Sequence, residues 1–173
     1  MRRQHQRDAY AAFLTEANAF LSKTLWGNCA QQASSQLGIS LRDEARRQEI
    51  NRRALRIQSE VPTEPLKLAA AVVQLEGPEN IAAIAREIEN HAHNVHVDAL
   101  YGEAPYTLFD ALDGRPAPTG EGRNTHLDLL TAINNFTDAA RSHLNGSKTA
   151  RRPWNLSGAR EVITRPDLRS VDH

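Results

Sequence analysis

Leu75-Glu76-Gly77-Pro78-Glu79-Asn80-Ile81 is the stretch that decides the fold. Glycine closes one helix here, and proline opens the next at its first position, where a missing amide costs nothing. Glu79 then lies at the positive end of the new helix's dipole. A connection this short makes the helices on either side antiparallel neighbours. Downstream, Ile81, Ile84, Ala85, Ile88, Ala92, Val95, His96 and Ala99 recur at three- and four-residue steps, the buried stripe of a helix. Upstream, Leu68, Ala69, Val72, Val73 and Leu75 are expected to face inward from a segment that Thr63 caps.

Further upstream, Pro62 and Pro65 forbid an undisturbed helix, because each lacks an amide and crowds the preceding turn. The spacing therefore predicts one long second helix with a break. It starts near Ser40, which forms a capping-box pattern with Asp43, and it carries an Ile50, Ala54, Ile57 and Val61 stripe. The first helix is marked by Tyr10, Phe13, Leu14, Ala17, Phe20, Leu21 and Leu25. It runs from about Arg3 to Lys23, and its pattern allows a continuation past Gly27 into the Gln/Ser-rich stretch before Gly38. From Tyr101 to Asn124 the periodicity is lost among glycines and prolines, apart from one turn at Leu108 to Leu112, so a long loop is expected. A fourth helix then starts near Thr125, with Leu129, Ile133, Phe136, Ala140 and Leu144 on one face and Asn145-Gly146 as its stop.

The expected fold is all-α: an up-down four-helix antiparallel bundle with a break in the second helix, a long loop before the fourth and a flexible C-terminal tail. Residues 1–146 make the bundle and residues 147–173 a mobile tail, within which Trp154, Leu156, Val162 and Ile163 are apolar enough to dock. Hydrophobic residues make up 40% of the chain and aromatics 5%, which points to a thin core of aliphatic and alanine-rich helix packing. Cys29 is the single cysteine, so no internal disulfide forms, and Met1-Arg2-Arg3 is followed by a polar run. A cytoplasmic setting is the expectation. The longest apolar stretch, Leu66 to Val73, is broken by Lys67 and is far short of the roughly 20 residues that span a bilayer, so no membrane insertion is expected.

Three stretches together resemble a group of uncharacterised actinobacterial helical-bundle proteins. They are Arg7-Asp8-Ala9-Tyr10-Ala11-Ala12-Phe13-Leu14, the junction from Val73 to Ala82, and Phe136-Thr137-Asp138-Ala139-Ala140-Arg141. The resemblance covers roughly residues 5 to 144 and implies a helical bundle; it brings no activity or site residue with it. Pro62, Pro65 and the proline-containing loop before the fourth helix depart from that group's plainer pattern.

The one cluster with metal-ligand chemistry is His91, His93 and His96, with Glu87, Glu89 and Asp98 beside it and His126 or His143 as further donors. Its spacing matches neither His-Glu-x-x-His nor the paired Glu-x-x-His of di-iron bundles. The plainer reading has His96 half-filling the core stripe and His91 and His93 facing solvent near the negative end of the helix. Charge is uneven: residues 1–60 hold 10 Lys/Arg and 6 Asp/Glu, residues 61–144 hold 5 and 12, and residues 145–173 hold 6 and 3. Arg46, Arg53 and Arg56, with Arg42, Arg47 and Arg52, lie on the second helix. Together with Arg151, Arg152 and Trp154 of the tail they are the candidate contacts for an acidic partner or a nucleic acid. Asp43, Glu44 and Glu49 interleave with them, so a solvated, ion-paired face is the plainer reading.

No catalytic motif is present. Cys29 has no histidine near it in sequence, and Gly120 and Gly122 lie in a proline-rich stretch instead of following a strand. The expected function is a non-enzymatic helical interaction module that binds a protein partner or self-associates, without a cofactor. The alternatives are a metal protein using His91, His93 and His96, and a nucleic-acid-associated protein using the arginines.

Overall fold

In the computed structural model the described residues are 2–37, 44–102 and 125–146. All are helical apart from short connections, and no strand occurs among them. Six helices are described: α1 (Arg2–Thr24), α2 (Trp26–Leu37), α3 (Glu44–Ser59), α4 (Glu64–Glu76), α5 (Glu79–Tyr101) and α6 (Thr125–Leu144). The capping box at Ser40 and Asp43, the expected loop before the last helix and the expected tail lie outside the described residues.

The first helix of the sequence reading is α1, which ends at Thr24, one residue past the expected Lys23; its continuation past Gly27 is a separate helix, α2, and the second helix of the sequence reading is two helices. The chain turns at Leu25. The Asn28 amide bonds the Leu25 carbonyl at 3.0 Å, instead of continuing the ladder to Thr24. Side chains take over the carbonyls of the last turn, which a helix end leaves without amides. Asn28 Nδ2 donates to Ser22 O at 2.7 Å, and Cys29 Sγ lies 3.2 Å from Lys23 O. Thr24 O receives Gln58 Nε2 from α3 and His126 Nε2 from α6, each at 2.8 Å. Leu25, expected on the inward stripe, is 42% exposed at the corner.

The second division falls at the prolines. Pro62 stands in the connection, and Pro65 sits in the first turn of α4, where its missing amide breaks no helical bond. Thr63 is the N-cap residue, yet its hydroxyl makes no cap bond; its carbonyl instead accepts the Lys67 amide at 3.0 Å. The two halves have different partners: α3 packs on α2 and on α5, whereas α4 packs between α1 and α5. The expected break at the prolines separates two helices, and a hairpin, α2–α3, is added to the packing of α1, α4, α5 and α6. Cys29, Ala33, Ile50 and Ala54 form the hairpin's own small core, against which Trp26, Leu37 and Ile57 pack.

The main core joins α1, α4, α5 and α6. Its centre is aromatic: Phe13 and Phe136 lie 4.7 Å apart between ring centroids, and Tyr10 meets Phe136 edge-on at 5.8 Å. Ile81, Ala85, Ile88, Ala92, Val95 and Ala99 are buried along α5 as the periodicity requires, and His96 is half-buried at the edge of that stripe. Leu129, Ile133, Phe136 and Ala140 are the inward face of α6. Gln6 Nε2 donates to Glu76 O at 2.6 Å, so the start of α1 lies beside the end of α4.

At the α4–α5 junction Pro78 is the N-cap of α5, one residue before the expected position, and Gly77 is extended at φ −89° and ψ 164°. Glycine is needed here for space: a Cβ would stand 2.8 Å from Val73 O and 3.1 Å from Tyr10 Oη. Gly146 does adopt a left-handed φ of 60°, the expected stop for α6.

The core predicts a steep contrast between two apolar truncations. Phe136→Ala removes a ring with no exposed surface and should cost about 3–5 kcal/mol. Leu75→Ala, at a position 85% exposed, should stay within about 0.5 kcal/mol. Urea denaturation midpoints of the full chain measure both.

Candidate functional site

Helix α4 carries apolar residues on two faces. Leu66, Ala70 and Val73 follow the three- and four-residue steps that fit the groove between α1 and α5, and all are buried. Once that set is inward, the helical repeat of about 100° per residue turns Leu68, Val72 and Leu75 outward. They are 71%, 46% and 85% exposed, and Ala71 between them is exposed too. The sequence reading placed Leu68, Ala69, Val72, Val73 and Leu75 inward. Val73 is buried and Ala69 half-buried, whereas the three larger side chains Leu68, Val72 and Leu75 form a stripe on the surface.

The polar rim of this stripe comes from its own helix and from α5. Glu64 and Lys67 are exposed at its start, and Gln74 Nε2 reaches across to Glu89 Oε2 at 3.0 Å. Arg86 is paired with Glu79. A second exposed apolar set, Leu100, Tyr101, Leu127 and Leu130, flanks residues 103–124 in sequence. The α4 stripe, by contrast, lies between described helices.

The histidines do not converge. At about 100° per residue His91 and His93 fall on nearly opposite sides of α5. His91 is half-buried, with Nε2 3.7 Å from Glu87 Oε1, while His93 is exposed. The Nδ1 atoms of His91 and His96 are buried without a hydrogen-bond partner among the described residues. No three His, Cys, Asp or Glu side chains among the described residues stand together as metal ligands would. His126 and His143 belong to opposite ends of α6. His126 bonds Thr24 O, and the His143 ring lies 6.2 Å from that of Tyr10, with Nε2 3.4 Å from Gln6 Oε1.

The arginines of α3 are largely engaged on their own helix. Glu49 accepts Arg53 Nε at 2.7 Å and Arg52 Nη2 at 2.5 Å, and those hydrogen bonds hold its carboxyl below the usual carboxylate range. Arg47 Nη2 bonds Glu44 Oε2 at 2.9 Å. Arg46 is exposed. Arg53 and Arg56 line a groove of about 570 Å³ with Lys23, Arg52, Glu49 and Glu60, in which each sign of charge is represented. Arg151, Arg152 and Trp154 lie outside the described residues. Internal pairing leaves this face less positive potential for phosphates than the residue list alone implies.

Buried groups elsewhere show the usual signs of desolvation. Burial pushes the Tyr10 phenol up, and it pushes the Cys29 thiol up against the opposing effect of a backbone hydrogen bond. A thiol kept protonated in this way is a poor nucleophile. No helix among the described residues is long and apolar enough to cross a membrane. No protein-family model, curated protein or solved structure matches the chain.

His126 makes the bundle acid-sensitive. Burial lowers its pKa from 6.5, opposed in part by the hydrogen bond to Thr24 O and by the Asp98 carboxylate. The folded chain therefore keeps the imidazole neutral where the unfolded chain has begun to protonate it. The associated stability is complete above the unfolded value and is lost as pH falls through the folded one. Unfolding free energy should drop between about pH 7.5 and pH 5.5, and the drop should shrink in His126→Gln by less than one proton equivalent, measured by urea titration at both pH values. Replacing both His93 and His96 by alanine should leave thermal stability and assembly nearly unchanged, as read by differential scanning calorimetry and sedimentation.

Proposed function

We propose that this chain is a non-enzymatic helical interaction module that presents the outer face of α4 to a protein partner or to another copy of itself. The observation that carries the reading is the exposed stripe of Leu68, Val72 and Leu75. Apolar residues at i, i+4 and i+7 on a helix that is already anchored along its opposite face form the anchor pattern of helix recognition. Burying a leucine side chain contributes about 1.5–3 kcal/mol, so three such anchors supply the central energy of a modest interface. Singly scattered surface leucines are ordinary; a row of three along one helix is a patch.

The architecture in this proposal is an up-down-up-down arrangement of α1, α4, α5 and α6, with the α2–α3 hairpin as an addition to it. The end contacts support it: Gln6 joins the start of α1 to the end of α4, and His126 joins the end of α1 to the start of α6. A cytoplasmic setting belongs to the same reading, with the single cysteine, Cys29, held as a buried thiol.

The test compares the full chain with the double variant Leu68→Glu/Leu75→Glu. Both positions face solvent, so the fold and the thermal midpoint should be retained. Concentration-dependent mass in sedimentation, or the set of proteins retained on the immobilised chain, should be lost with the variant. A variant that associates and captures as the wild type does would overturn the assignment of α4.

A further inference from the structure

We propose that the α4 stripe has a resident occupant: the chain's own segment 147–173, laid across Leu68, Val72 and Leu75 through Trp154, Leu156, Val162 and Ile163. This rests on the reading of α4 as a docking face and adds what covers it before a partner arrives.

Position comes first. The last described residue is Gly146, two residues after the end of α6. His143 and Leu144 line a cavity of about 460 Å³ together with Arg3, Gln6, Gly77 and Pro78. The chain therefore leaves the described body at the same end of the molecule where α4 stops, and Leu75 is one residue before the last of that helix. Reach follows from the covalent geometry. Trp154 is the eighth residue after Gly146, which an extended chain carries as far as about 26 Å. The stripe from Leu68 to Leu75 is only about 10 Å long at the helical rise.

Charge selects this occupant over a second copy. Residues 64–101, which include α4 and α5, hold six carboxylates (Glu64, Glu76, Glu79, Glu87, Glu89 and Asp98) against Lys67 and Arg86. Segment 147–173 carries 6 Lys/Arg and 3 Asp/Glu. A second α4 face would bring the same acidic surroundings against themselves, a like-charge juxtaposition, whereas the C-terminal segment brings the opposite sign. Tethering adds to this, since a covalent link of a few residues gives an effective concentration on the order of mM.

Amide hydrogen exchange on the full chain tests the proposal. Amides around residues 154–163 should exchange at least tenfold more slowly than in a synthetic peptide of that sequence, at every protein concentration. Leu68→Glu/Leu75→Glu should bring them to the peptide rate, and so should Trp154→Ser/Ile163→Ser, whose changes lie outside every described helix. Peptide-like rates in the wild type would overturn it, as would protection that survives the α4 double variant or that grows with protein concentration. If the segment is unprotected while the α4 variant still abolishes association, the docking face stands and only its resident occupant is lost. If neither responds, both readings fail.

Discussion

The Thr24 carbonyl is the point on which the arrangement of helices depends. It is freed when the chain turns at Leu25, and it is claimed at once by Gln58 from α3 and His126 from α6. A buried carbonyl without a partner costs about 1–3 kcal/mol, and here two helices each bring one donor to it. One oxygen thereby ties the end of α1 to the end of α3 and the start of α6. Asn28 and Cys29 satisfy the neighbouring carbonyls from α2, which closes the corner on its fourth side.

From that corner the two cores separate. Along α1, the aromatic contacts of Tyr10, Phe13 and Phe136 hold the main packing of α1, α4, α5 and α6. Beyond the corner, α2 and α3 pack around Cys29, Ala33, Ile50 and Ala54, with Trp26, Leu37 and Ile57 against them. Gln58 adds a polar anchor to that small core. Ion pairs such as Arg53 with Glu49 line its surface and add little, since exposed pairs contribute at most about 1 kcal/mol.

A helix with two apolar faces sits badly in an isolated chain unless something meets its second face. On α4, the inward set is complete with Leu66, Ala70 and Val73, and Leu68, Val72 and Leu75 are surplus to it. That surplus is the observation behind the proposed interaction module, and Glu89 of α5 stands at its rim through Gln74. No comparable convergence occurs among the described histidines: those of α5 are spread around the helix, and those of α6 are occupied at its two ends.

Sequence alone determined the helical class, the Gly77-Pro78 junction and most of the inward residues of α5 and α6, though not Ala132, because capping chemistry and a period of 3.6 residues are local properties. It also located the disturbance at Pro62 and Pro65, since a missing amide acts wherever it stands. Tertiary structure alone decided that the continuation past Gly27 is a separate helix packed on α3, and that the break at the prolines leaves α3 and α4 with different partners, because which helices meet is a long-range property. It alone decided which apolar residues of α4 are inward. Leu66, Ala70 and Val73 make one helical face and Leu68, Val72 and Leu75 another, and periodicity scores the two alike. Only the groove between α1 and α5 chooses between them.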